Sequence, residues 1–133
     1  MSNKEELIKD IMLLETIKRN ITMMHNTMKV FNVSGNNLRV EFINNEIFQN
    51  ALGVPVLTIL ECLKMLPAKI RRIFYGDTEF GKLCKISNIT KPKFGGVSMT
   101  DYYEFVWSLV MPYAIYNIIE DTVVALRIDL SHL

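Results

Sequence analysis

The chain has 133 residues, of which 50% are hydrophobic and 22% are charged, and its formal net charge is +1. A chain this apolar buries enough surface to offset the entropy lost on folding, which excludes intrinsic disorder. The near balance of 15 basic and 14 acidic residues excludes a global field that would attract nucleic acid or an anionic membrane.

The sequence favours a cytoplasmic protein. The N-terminal segment from Ser2 to Glu6 is charged and leads directly into a helix pattern, which is not typical of a signal peptide. The longest apolar run, between Phe105 and Ile119, is shorter than a membrane span. We therefore predict one domain over residues 1–133, with Cys62 and Cys84 as free thiols in a reducing compartment and no membrane contact.

A long first helix is predicted from about Asn3 to Phe31, with Ser2 or Asn3 as its cap. Its apolar residues recur at alternating steps of three and four, and this seam consists of Leu14, Ile17, Ile21, Met24, Met28 and Phe31. Ile8, Ile11, Met12 and Leu13 widen the apolar face further. The helix therefore packs against a broad surface, either in its own domain or in a second copy. Because excess apolar surface usually marks an interface, we predict a homodimer through this seam.

The middle of the chain combines one predicted strand with several short helices. Leu38, Val40 and Phe42 alternate with polar residues, which is the period of a half-buried strand over 38–43. A break is predicted at Gly53-Val54-Pro55, with a new helix that begins at Pro55 and a further short helix after Pro67. Residues 78–97 carry no clear pattern.

A second long helix is predicted from Ser98 or Thr100 to Ile119, apolar nearly all round, with Trp107 buried in the core. Apolar residues alternate with other residues over 123–130, and this segment is the clearest predicted strand in the chain. Antiparallel pairing of the two strands sets Arg39 opposite Asp129 and Glu41 opposite Arg127. The predicted fold class is α+β, a single domain with two long helices, several short ones and a small antiparallel sheet.

No residue pattern is typical of catalysis. His25 and His132 have no second ligand at the spacing of a helical metal site. Cys62 lies in an apolar helix pattern, where burial disfavours a reactive thiolate. We therefore predict no enzymatic activity, no metal site and no cofactor.

Three functions stay open, of which a small, dimeric, non-enzymatic binding or regulatory protein with a protein partner is favoured. The richness of the chain in Asn, Ile and Lys is typical of an accessory protein of a phage or mobile element. The first alternative is nucleic-acid binding, or binding of an acidic partner, by a basic cluster of Lys64, Lys69, Arg71 and Arg72. A solvated helix face also explains that cluster. The second alternative is a small-ligand sensor, with a pocket at a kink near Pro112 lined by Trp107, Met111, Tyr113 and Tyr116.

Overall fold

The computed structural model describes residues 3–85, 99–111 and 114–133. These residues form seven helices: α1 (Lys4–Val30), α2 (Leu38–Asn44), α3 (Glu46–Met65), α4 (Ala68–Phe74), α5 (Asp77–Cys84), α6 (Met99–Val110) and α7 (Ala114–Ser131). No strand occurs among them. The fold is therefore mostly helical, and the prediction of an α+β fold with an antiparallel sheet is wrong.

The first predicted strand, 38–43, is the helix α2. Leu38 and Phe42 are one helical turn apart and both fully buried, whereas Val40 is 58% exposed. In a strand the three side chains would share one face. The Phe42 ring instead stacks on Tyr102 of α6 at 4.9 Å between centroids, so a helical turn places it in the core.

The second predicted strand, 123–130, is the C-terminal part of α7. Its inward residues follow helical steps, with Ile119 and Val123 buried and Leu126 and Leu130 packed against the core. The predicted cross-strand pairs are therefore absent from the described residues. Arg127 lies instead beside α1, with its Nη2 atom 3.5 Å from Glu15 Oε1.

The first helix was predicted closely. Asn3 caps α1, since its Oδ1 atom accepts a hydrogen bond of 2.8 Å from the backbone N–H of Glu6. The apolar seam of α1 is buried along its length, and α1 packs chiefly against α3 and α7. One long helix therefore organises the core of the chain.

The break predicted at Gly53-Val54-Pro55 is wrong, because α3 continues through Pro55. The proline lies on the buried side, next to Val56 and one turn before Ile59. Taken by itself, α3 is the one described helix that is long and apolar enough to cross a membrane, and half of that stretch is buried inside the chain. Core helices of water-soluble proteins pass the same test.

The predicted second long helix is divided between α6 and α7. Tyr102, Phe105, Val106, Leu109 and Val110 make α6 central to the core. Trp107, which we predicted to be buried, is 40% exposed on the opposite side of α6. The residues around it are apolar in sequence, but only one face of the helix is covered.

Candidate functional site

The seam residues predicted as an interface lie in the core of a single chain. Leu14, Ile17, Ile21, Met24 and Met28 are all buried, and none is more than 5% exposed. A second chain would contact them only if α1 left α3 and α7. Dimerisation itself stays a prediction, and a dimer formed through α1 would use a different face of that helix.

The predicted basic cluster does not form one free cationic face. Lys64 lies 3.6 Å from Glu61, measured from Nζ to Oε1, and Lys69 is exposed. Arg71 is only 7% exposed, and its guanidinium lies over the Phe80 ring at 4.5 Å. Arg72 pairs with Asp77, so three of the four cations have protein partners.

Arg71 and Arg72 join the end of α4 to the start of α5. Arg71 donates hydrogen bonds to the Tyr75 carbonyl at 2.9 Å and to Asp77 Oδ1 at 2.6 Å. Arg72 Nε donates to the same Asp77 oxygen at 3.1 Å. Hydrogen bonds from Arg72 and Arg71 hold the pKa of Asp77 below its ordinary value. This geometry favours a structural clamp over phosphate binding.

The described residues contain no group of three or more His, Cys, Asp or Glu side chains that could hold a metal ion. Cys62 and Cys84 are free thiols, and burial raises the pKa of Cys62. Burial lowers the pKa of His25, which disfavours its charged form.

The predicted ligand pocket near Pro112 is tested only in part, because Pro112 and Tyr113 lie outside the described residues. Met111 and Tyr116 line a concave surface of about 500 Å³ with residues of α1 and the turn that follows it. Trp107 is not part of this lining. It lies beside Tyr103, with 6.3 Å between ring centroids.

The surface that best fits a binding role is a groove between α1 and α7. It has a volume of about 370 Å³ and is lined by Ile8, Ile11, Met12, Glu15, Thr16, Arg19, Arg127 and Leu130. A second concavity of about 390 Å³ adjoins it across Ile8, Met12 and Thr16 and extends to Glu5, Lys9 and Leu13. We call the two together the α1–α7 groove.

The groove has an apolar floor and a charged rim. Met12 is 63% exposed and Ile8 is 39% exposed, although both lie among apolar neighbours. On the rim, Glu15 lies between Lys18 at 3.7 Å and Arg127 at 3.5 Å. Arg19 Nη2 donates a hydrogen bond of 3.0 Å to Thr16 Oγ1. These groups can hold a partner by apolar contact and charge.

Sequence reasoning identified only half of this groove. The extra apolar residues of α1, including Ile8 and Met12, were recognised as surplus to one helical stripe. The contribution of Arg127 and Leu130 was missed, because their segment was assigned to a strand. A helical period of three and four from Ile119 through Val123, Leu126 and Leu130 was the signal that could have placed them.

No family model matches this chain, and no curated protein and no solved structure is significantly similar to it.

Proposed function

We propose that this chain is a small non-enzymatic protein that acts by binding a helix of another protein chain in the α1–α7 groove. The observation that supports this most directly is the open apolar floor, in which Met12 and Ile8 remain exposed beside Ile11 and Leu130. Clustered apolar side chains in an open concave surface usually mark a site of protein contact.

The groove suits an amphipathic helix as its occupant. Such helices lay an apolar stripe, with residues three and four apart, into a groove between helices. The floor offers Ile8 and Met12 for that stripe, and a methionine adapts its shape to a partner. The rim carries both signs, since Glu5 and Glu15 attract basic groups and Lys9, Arg19 and Arg127 attract acidic ones.

The apolar floor supplies most of the affinity in this arrangement. Exposed ion pairs contribute roughly 0.2–1 kcal/mol each and are weakened by salt. Burying an apolar side chain of the size of isoleucine or methionine contributes about 1.5–3 kcal/mol. The rim therefore selects and orients the partner helix, and the floor holds it.

Site-specific photo-crosslinking tests the proposal in the native cell. A photoreactive phenylalanine analogue at position 12 should form a crosslink to a defined protein, and Ile8→Glu in the same chain should abolish it, since a charge would enter the apolar contact. Position 54 is the matched control, because Val54 is an exposed apolar residue, 69% exposed, on α3.

Equal crosslinking from positions 12 and 54, or none from position 12, would contradict the proposal. The proposal would also be contradicted if the crosslink from position 12 persisted in the Ile8→Glu variant while the helical circular dichroism of that variant was unchanged.

A further inference from the structure

The residues of α1 that line the α1–α7 groove, including the charged ones, lie mostly on one face of the helix. At about 100° of rotation per residue, Glu5, Ile8, Lys9, Met12, Glu15, Thr16 and Arg19 fall within an arc of about 120° centred on Met12. All seven line the α1–α7 groove. The buried seam occupies the other side of the helix. This outer face is therefore continuous over about four helical turns.

The charges on this face are arranged symmetrically about Met12 with opposite sign. Glu5 and Arg19 lie seven residues before and after Met12, and Lys9 and Glu15 lie three residues before and after it. Ile8 and Thr16 are likewise equidistant from Met12, at four residues. Rotation by a two-fold axis through Met12 therefore exchanges each acidic position with a basic one.

We infer that the occupant of the α1–α7 groove is helix α1 of a second copy of this chain, antiparallel to the first, with the two Met12 side chains meeting at the two-fold axis. This inference rests on the proposed function and names its partner. In this pairing Glu5 faces Arg19 of the second copy. This pair occurs twice, because a two-fold contact repeats every interaction.

A parallel pairing of the same two faces is disfavoured. It would set Glu5 against Glu5 and Arg19 against Arg19, and facing like charges repel. The charge order of α1 thus selects the antiparallel direction without any contribution from the buried seam. In a heptad coiled coil, the charges that select the partner flank the buried seam. In this chain the charges of the proposed contact lie on the outer face of α1 instead.

The rim is already positioned for this contact within one chain. Arg127 holds Glu15 at 3.5 Å, and Thr16 accepts a hydrogen bond from Arg19 at 3.0 Å. These interactions restrict two of the four charged side chains before the second copy binds, which lowers the entropy lost on association. Since a contact of one helix pair is small, we expect a dimer in the micromolar range that weakens as salt is raised.

Charge exchange on the full-length chain tests the pairing by sedimentation equilibrium. Glu5→Arg places two arginines opposite each other at both ends of the contact, and we expect the dissociation constant to rise about tenfold or more. Arg19→Glu should do the same with two facing carboxylates. The double variant Glu5→Arg with Arg19→Glu restores both opposite-charge pairs and should recover the native dissociation constant within about threefold. Circular dichroism confirms that each variant is folded.

Disulfide trapping tests the direction and the position of the axis. Met12→Cys should form a covalent dimer on mild oxidation, because the two residues meet at the axis. Glu5→Cys should not, because antiparallel pairing separates its two copies by about 21 Å along the helix. Cys62 and Cys84 are present in both variants, so the native chain gives the background.

Three results would overturn the inference: a monomer at all concentrations up to hundreds of micromolar, a dimer that Glu5→Arg leaves unchanged, or trapping through Glu5→Cys in place of Met12→Cys. A monomer whose position 12 still crosslinks to a different protein would overturn the inference and leave the proposed function standing. A monomer without any crosslink from position 12 would overturn both.

Discussion

Two alanine substitutions in α2 distinguish a helix from a strand at residues 38–44. Val40 and Phe42 would lie on one buried face of a strand, so both substitutions would destabilise the protein. In the helix, Phe42 is fully buried and Val40 is 58% exposed. The two variants should therefore differ sharply in their free energy of unfolding.

The magnitudes follow from the environment of each side chain. Phe42 packs on Tyr102 at 4.9 Å and on Tyr103 at 5.7 Å between ring centroids, and truncating a buried phenylalanine typically costs about 3–5 kcal/mol. Val40→Ala removes little buried surface and replaces a β-branched residue by the best helix former. We expect it to leave stability unchanged or to raise it by up to about 0.5 kcal/mol.

Urea unfolding followed by circular dichroism at the helical band measures both effects. Comparable slopes for the native chain and the variants would show that the unfolding transition is the same. A loss of more than about 1 kcal/mol in Val40→Ala would refute the helical assignment, since an exposed helical valine contributes little. Phe42→Ala within about 1 kcal/mol of the native chain would equally contradict a buried Phe42.

Three further predictions concern pH and exposure. Burial raises the pKa values of Tyr75 and Tyr102, so both stay protonated in the folded chain when the unfolded chain ionises. The free energy of unfolding should therefore fall as the pH rises above about 10, and Tyr102→Phe should reduce that slope; an unchanged slope would count against burial of Tyr102. The pKa of Asp77 is lowered by its hydrogen bonds from Arg72 and Arg71, so this contribution is present above about pH 4 and is lost at lower pH. Asp77→Asn should thus be less stable than the native chain at pH 7 and converge with it in acid, and a gap independent of pH would exclude the ion pairs as its cause. Trp107 is 40% exposed, so iodide should quench its fluorescence and Trp107→Ala should cost less than the roughly 3–5 kcal/mol of a core aromatic. A blue-shifted emission that iodide does not quench would show instead that the side chain is enclosed.

The sequence by itself determined the first helix and the inner side of the core. Over the length of α1 the apolar residues follow the helical period of 3.6 and not the strand period of two. The cap at Asn3 is likewise a local interaction between neighbouring residues. The same periodicity identified the buried seam and the surplus apolar residues, including Met12. Local chemistry therefore sufficed wherever the deciding interaction lay within the same helix.

The tertiary structure decided what short or alternating segments become. Leu38 and Phe42 satisfy both a strand on one face and a helix with residues four apart, so a seven-residue segment contains too few positions to separate the two. Core contacts from distant parts of the chain favour the helix, among them the contact of Phe42 with Tyr102, sixty residues further along the chain. Arg71 was assigned to an open cationic face for a related reason, because sequence does not show that Asp77 and Phe80 turn back onto it. The α1–α7 groove combines both cases: α1 displays its half in sequence, and folding brings Arg127 and Leu130 from the other end of the chain to complete it.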